Sequence, residues 1–150
     1  MMLLLILVVI VADQLTKFLA SIWGWVSFNP GISFGFLAAM PPLVLTVGLT
    51  VMILISWWLY RPAWERVPIG ASFFLGGAIS NMIDRLQWSA VRDWLPIPGT
   101  KIHNNLADYA IVIGLMLLIS HYFLGRSSRA STDASQTDEE SNLPDEKETK

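Results

Sequence analysis

Cysteine is absent from the 150-residue sequence, and charged residues make up only 15% of it. The lack of cysteine excludes disulfide bonds, cysteine-ligated metal, a thiol nucleophile and S-palmitoylation. Half of the charged residues lie after position 124, which leaves residues 1–124 too poor in polar side chains to cover a water-soluble globule. The net charge is −2, so the chain has no basic surface of the kind that binds nucleic acid.

Apolar residues are abundant, at 53% of the chain, and they concentrate in four stretches. A bilayer core requires roughly 20 residues of helix, so each stretch is close to spanning length. The stretches are Met1–Ala20, Leu43–Tyr60, Val67–Ile83 and Leu106–Leu124. They predict an all-α membrane protein with four transmembrane helices. A cleaved signal peptide is the weaker interpretation of the first stretch, because it has no basic region and no clean small-residue cleavage site.

The remaining segments predict two smaller features. Residues 22–40 are rich in aromatic residues and glycine, which favours a small strand-like element at the extracytoplasmic membrane surface. Residues 126–150 are rich in Ser, Thr, Asp and Glu, a composition typical of disorder. We therefore expect a membrane domain at residues 1–125 and a disordered, acidic, cytoplasmic tail at residues 126–150.

Four spans would place nearly all the carboxylates of the membrane domain at one membrane face, with Glu65 as the exception. Ionisable groups at membrane spans are energetically costly and usually mark a functional site. The polar residues that share this face are Asp13, Lys17, Asn29, Asn81, Asp84, Arg85, Asp93, Asn105 and Asp108. This clustering predicts a site at one edge of the membrane.

The orientation of the chain depends on how its basic residues are counted. Four basic residues (Arg61, Arg66, Arg126 and Arg129) lie on one side and four (Lys17, Arg85, Arg92 and Lys101) on the other, so the positive-inside rule gives a tie. If Lys17 and Arg85 belong to the polar site, the tie breaks in favour of cytoplasmic termini. The site then lies near the extracytoplasmic face.

Helical spacing groups several of these polar residues. Asp13 and Lys17 are four residues apart, so they share a helix face and could both belong to the site. The same spacing equally suits a simple ion pair at the membrane edge. Asn81, Asp84 and Arg85 also share a face, and for the last two a helix-end ion pair is the plainer interpretation.

Asp93 and Asp108 are candidates for an acid–base pair. Two carboxylates at one membrane edge can share a proton, so that one acts as a base and the other as an acid on water. Asp108 could instead be a residue favoured by the dipole at the start of a helix. The two histidines are predicted at opposite membrane faces, so they cannot form a joint metal site.

Five motifs occur in order along the chain. They are Asp13-Gln14-Leu15-Thr16-Lys17, Phe28-Asn29-Pro30-Gly31-Ile32-Ser33-Phe34-Gly35, Gly76-Gly77-Ala78-Ile79-Ser80-Asn81-Met82-Ile83-Asp84-Arg85, Val91-Arg92-Asp93-Trp94 and Asn105-Leu106-Ala107-Asp108. In this combination, residues 10–112 resemble the bacterial lipoprotein signal peptidases, also called type II signal peptidases. The third and fifth motifs are the most specific.

The resemblance implies an aspartic endopeptidase of the bacterial cytoplasmic membrane that needs no metal or other cofactor. It would cleave the signal peptide of prolipoproteins just before a cysteine that carries diacylglycerol. The catalytic pair of the family matches Asp93 and Asp108. The residues expected to bind substrate or support this pair are Asp13, Lys17, Asn29, Gly31, Asn81, Asp84, Arg85 and Asn105, with Asp84 assigned to hold Arg85. The expected partners are the precursors and membrane lipid, and the enzyme is expected to be a monomer.

The sequence departs from the family pattern at three positions: Arg92, Trp94 and Asn104 stand where Val, Phe and Phe are common. These changes leave the catalytic residues in place but bear on substrate preference. Two other function classes stay open from the residues alone. A small transporter or proton channel would have its acid nearer the middle of the membrane, and a non-catalytic scaffold would need no paired acids.

Overall fold

The computed structural model describes residues 1–31 and 40–141, and the chain divides into two compact units, residues 1–118 and 119–150. Most described residues are helical. The elements in chain order are α1 (Met2–Ile22), β1 (Ser27–Asn29), α2 (Pro42–Arg66), α3 (Pro68–Trp88), β2 (Val91–Asp93), β3 (Leu95–Pro96), β4 (His103–Asn104) and α4 (Leu106–Ser141). Each of the four predicted hydrophobic stretches matches one helix, apart from Met1 and Val67, which directly precede α1 and α3.

Two helical segments of the described chain are long and apolar enough to cross a membrane: α1 and the Leu106–Phe123 part of α4. Helix α2 contains a shorter apolar segment, Leu43–Trp58. Many large apolar side chains of α1 point away from the rest of the protein, and Leu3 and Leu4 are about two-thirds exposed. Such a continuous apolar surface is typical of contact with lipid.

Helix α3 is the centre of the first unit, and small residues let its neighbours approach closely. A Cβ atom on Gly76 would lie 2.7 Å from the Cβ of Val9 in α1. A Cβ atom on Gly77 would lie 2.4 Å from the carbonyl oxygen of Ala107, at the start of α4. Small residues at helix interfaces have this function in membrane bundles. Any larger residue at these two positions would push α1 or α4 away from α3.

The strand-like element predicted in residues 22–40 is present as β1, and residues 32–39 lie outside the described residues. Strand β1 pairs antiparallel with β2, with Ser27 opposite Asp93 and Asn29 opposite Val91. Strands β3 and β4 form a second antiparallel pair. The first pairing brings Asn29 and Asp93, which are distant in sequence, to the same small sheet.

Helix α4 extends beyond the fourth hydrophobic stretch. The disordered tail was predicted to begin at residue 126, but the helix continues to Ser141. Residues 126–141 contain no glycine or proline and include alanine, arginine, glutamine and glutamate, which favour helix even when no apolar face is buried. Residues 142–150 lie outside the described residues, and the disordered acidic tail and its boundary at residue 126 stay predictions.

Candidate active site

Asp93 and Asp108 line the same cavity of about 190 Å³. Asp93 is the last residue of β2, and Asp108 lies in the first turn of α4. The cavity has a polar end, formed by the two aspartates with Asn29, Asn81 and Arg85. Its remaining walls are mostly apolar and come from the helices, including Leu49, Met52, Ile53, Phe74, Met82 and Ile111. The two carboxylates are thus the acidic groups of an otherwise largely apolar cavity.

Two asparagines hold the carboxylate of Asp93. The side-chain amide of Asn105 donates to Oδ1 at 2.6 Å, and that of Asn29 donates to Oδ2 at 3.0 Å. Asp93 is only 2% exposed, and this burial raises its pKa to about 6. The two amide hydrogen bonds oppose the rise, and the negative charge of Asp108 adds to it. Asp93 can therefore exchange a proton near neutral pH.

Asn105 joins Asp93 to Asp108. Its side-chain oxygen accepts a hydrogen bond from the backbone N–H of Asp108 at 3.0 Å, the geometry of a residue that caps the start of a helix. Because Asn105 caps α4, the carboxylate of Asp108 is not needed as the cap. That carboxylate instead accepts a hydrogen bond from the side-chain amide of Asn81 at 2.8 Å.

A second, fully buried cluster supports Asn81 and the start of α4. Lys17 forms ion pairs with Asp13 at 2.7 Å and with Asp84 at 3.1 Å, and it donates to Oδ1 of Asn81 at 2.8 Å. Asp13 also accepts a hydrogen bond from the backbone N–H of Ala107 at 2.8 Å. The Asp13–Lys17 ion pair expected from helical spacing is present. It is part of a larger network that connects α1, α3 and α4.

The sequence assigns Asp84 to hold Arg85. In the structure Asp84 binds Arg92 instead. Nη2 and Nε of Arg92 donate to Oδ1 of Asp84, and the backbone N–H of Arg92 donates to Oδ2. Nη2 of Arg92 also donates to the side-chain oxygen of Gln14 at 2.7 Å. Asp84 and Arg85 are adjacent in a helix, where consecutive side chains do not face each other. This geometry explains why the assignment was wrong.

Arg85 instead contacts the segment after β1. Its Nη2 donates to the carbonyl oxygen of Gly31 at 2.7 Å, and its Nη1 donates to the carbonyl oxygen of Asn81 at 3.3 Å. The backbone N–H of Gly31 in turn donates to the side chain of Asn29 at 3.0 Å. Nε of Arg85 is buried and has no partner among the described residues. It is a free donor on a residue that lines the cavity.

All ten predicted site residues therefore lie in the cavity wall or in the hydrogen-bond networks connected to it. Sequence reasoning missed three further members, Gln14, Ser80 and Arg92. The hydroxyl of Ser80 donates to Oδ2 of Asp13 at 2.7 Å and accepts a hydrogen bond from the side-chain amide of Gln14 at 3.0 Å. Gln14 and Ser80 lie inside quoted motifs, and Arg92 was noted only as a departure from the family pattern. Among residues 1–31 and 40–141, no group of three or more His, Asp or Glu side chains is arranged to hold a metal ion.

Comparison with known proteins gives consistent matches. The family model described as Signal peptidase (SPase) II matches residues 5–124. The lipoprotein signal peptidase of Coxiella burnetii (strain RSA 331) is 33% identical over 144 residues, covering 81% of this chain and 88% of that protein. The lipoprotein signal peptidase of Rhodopseudomonas palustris (strain CGA009) is 32% identical over 123 residues, covering 75% and 73% of the two chains.

The fold has also been seen in solved structures. A bacterial membrane enzyme determined at 1.9 Å resolution by the in meso method superposes with a TM-score of 0.65. The match covers 81% of this chain and 91% of that one, at 22% sequence identity. A second such structure, at 2.3 Å resolution, matches with a TM-score of 0.63 over 99% of this chain.

Proposed function

Because the chain belongs to the signal peptidase II family, and so to the membrane proteases that process bacterial lipoproteins, we propose that it cleaves the signal peptide from diacylglyceryl-modified prolipoproteins, just before the lipidated cysteine. The observation that carries the proposal is the placement of Asp93 and Asp108 at the polar end of a largely apolar cavity. The apolar walls suit a lipidated precursor, and the polar end holds the two acids that would hydrolyse its peptide bond.

The proposed reaction is hydrolysis by an aspartate pair. One of Asp93 and Asp108 takes a proton from a water molecule, whose oxygen attacks the peptide carbonyl carbon, while the protonated partner donates a hydrogen bond to the carbonyl oxygen. The C–N bond of the resulting tetrahedral species then breaks as the departing nitrogen receives a proton from the acid. The two acids start and end the cycle with one proton between them. That proton ends on the aspartate that acted as the base, and its transfer back to the other aspartate restores the initial state.

The surrounding residues hold the pair and the substrate. Asn29, Asn81 and Asn105 fix the aspartate carboxylates by hydrogen bonds of 2.6–3.0 Å. The unpartnered Nε of Arg85 is available to a substrate carbonyl in the cavity. Each fixed donor reduces the reorganisation required when charge develops during the reaction.

The apolar walls of the cavity suit the signal peptide and the lipid of the substrate. Leu49, Met52 and Ile53 of α2 form part of the cavity wall. In our proposal these walls receive the apolar end of the signal peptide and the acyl chains of the lipidated cysteine, which enter sideways from the bilayer. The enzyme acts as a monomer with four spans and cytoplasmic termini, and its catalytic pair lies near the extracytoplasmic face.

The test is a processing assay with purified enzyme and a lipidated precursor in detergent. We expect wild-type protein to release the signal peptide, and the single variants Asp93→Asn and Asp108→Asn to have no measurable turnover. The double variant should be no worse than either single one, because residues that act as a unit are not additive. A transporter or a scaffold would show no cleavage by the wild type.

Glu65→Gln is the matched control, since Glu65 is exposed and does not line the cavity. It should cleave at the wild-type rate. An active Asp93→Asn or Asp108→Asn enzyme that cuts the usual bond would overturn the aspartate mechanism.

A further inference from the structure

A second recess, of about 260 Å³, shares Asp93 and Asn29 with the main cavity. Asp108 lines the main cavity but not this recess. The other residues that line the recess are Ser27, Phe28, Pro30, Lys101, Ile102 and His103. Asp93 is therefore the catalytic carboxylate that lies where the two spaces meet.

The two spaces differ in the chemistry of their walls. The main cavity is walled by apolar side chains of α2, α3 and α4. The recess is walled by β1, the segment after it, β4 and the two residues before β4, and among its lining residues the charged ones are Asp93 and Lys101. Lys101 is exposed, whereas Asp93 is buried. The recess thus runs between a catalytic carboxylate and a basic residue at the protein surface.

A precursor cut beside Asp93 has halves of different chemistry. The signal peptide and the lipidated cysteine are apolar and match the apolar walls of the main cavity. The residues that follow the cysteine belong to the exported, water-soluble part of the lipoprotein and need a polar path away from the cleaved bond. The recess is such a path, because it starts at Asp93 and is lined by backbone segments that an extended peptide can contact.

We propose that this recess binds the second and third residues after the cleaved bond, and that Lys101 gives it a preference for an acidic side chain there. The proposal rests on the proposed function, because it requires a peptide cut beside Asp93. An extended chain advances about 3.3 Å per residue. The second and third residues are the first that can leave the cavity, since the lipidated cysteine occupies it.

The size of the preference follows from the exposure of Lys101. Pairs between exposed charges are weak and are screened by salt. We expect the wild type to cleave a precursor with Asp at the second position about two- to fivefold faster, in kcat/KM, than one with Lys there. Raising the salt concentration should reduce this ratio.

The experiment compares three precursors that carry Asp, Asn or Lys at the second position after the cleaved bond. The quantity measured is the ratio of kcat/KM values for the Asp and Lys precursors, for each enzyme. Lys101→Arg should keep the wild-type ratio, Lys101→Met should bring it close to one, and Lys101→Glu should invert it. Arg66→Glu makes the same change of charge away from the recess and should leave the ratio unchanged.

A binding measurement separates recognition from catalysis. The dissociation constants of the Asp and Lys precursors for Asp108→Asn, which retains every residue of the recess, should differ in the same direction as the cleavage ratio. Equal cleavage of all three precursors, or a ratio that Lys101→Glu does not change, would overturn the recess proposal while leaving the proposed function intact. A wild type that cleaves none of them would overturn the proposed function, and the recess proposal with it.

Discussion

Arg92 donates two hydrogen bonds from its guanidinium to one carboxylate oxygen of Asp84, at 2.7 and 3.3 Å, and both side chains are buried. The guanidinium also lies over the ring of Trp88, 5.8 Å from its centroid. Arg92 directly precedes Asp93 in β2, so this contact attaches the strand that carries Asp93 to helix α3.

Replacing Arg92 should therefore destabilise the protein much more than replacing an exposed arginine. Arg92→Met removes the guanidinium from the buried carboxylate of Asp84, which keeps its ion pair with Lys17. Losing hydrogen bonds to a charged group typically costs about 1.5–3 kcal/mol. Arg61 pairs with Glu65 at 3.1 Å, but both side chains are more than 60% exposed. Arg61→Met should cost less than about 1 kcal/mol. Chemical unfolding in detergent measures both, and equal losses would contradict the assigned role of Arg92.

The raised pKa of Asp93 predicts how stability changes with pH. The folded protein retains the proton of Asp93 up to about pH 6, whereas the unfolded chain loses it near its ordinary value of 3.8. The folded state therefore binds more protons between these values, so Asp93 lowers the stability as pH rises from about 4 to 6. The loss is about 2–3 kcal/mol.

Asp93→Asn removes this titration and should flatten the pH dependence in that window. The measurement is the unfolding free energy of both proteins between pH 4 and 7. Parallel curves for the two proteins would show that Asp93 titrates at its ordinary pKa.

The close contact at Gly77 predicts that adding a single methyl group, in Gly77→Ala, reduces activity. A Cβ atom there would lie 2.4 Å from the carbonyl oxygen of Ala107 and 2.9 Å from Ile111, so α4 would have to move. Asp108 moves with it, and we expect Gly77→Ala to cost about 1–3 kcal/mol in stability and most of the activity. Gly48→Ala is the control, because nothing lies within 4 Å of its Cβ position. It should be neutral or stabilising, and a Gly77→Ala enzyme with wild-type kcat would contradict the predicted displacement.

The proposed orientation predicts where inserted reporters will be found. A reporter fused after Arg129 should be cytoplasmic, and one inserted at Gly99, in the exposed turn between β3 and β4, should be extracytoplasmic. Accessibility to a membrane-impermeant reagent in intact cells distinguishes the two sides. The reverse result would place the catalytic pair at the cytoplasmic face and would exclude a role in cleaving exported precursors.

The sequence was most informative where residues act through short, regular spacing. Asp13 and Lys17, four apart on α1, form the expected ion pair. The helices could be located because long apolar stretches have few alternatives in a chain with so little charge. The motif residues could be grouped because a bundle of antiparallel spans brings alternate helix ends together.

The sequence could not show contacts that depend on pairing between distant short segments. Strands β1 and β2 have three residues each, too few for a periodic pattern, and their pairing sets Asn29 beside Asp93. The partner of Asp84 was misassigned for a related reason, since the nearest arginine in sequence is not the one that faces it. The second recess was also hidden, because Lys101 belongs to no motif.

The hydrogen bond from the backbone of Ala107 to Asp13 has a consequence for biosynthesis. Asp13 and Lys17 neutralise each other within α1, so the first helix can enter the bilayer as soon as it is made. The carboxylate of Asp13 receives the N–H of Ala107 only when the start of α4 is made, and α4 is the last of the four described helices in chain order. The same turn of α4 carries Asp108. A nascent chain therefore has Asp93 without Asp108 until the start of α4 is made. Under the proposed mechanism, it cannot cleave a precursor before α4 has packed against α1.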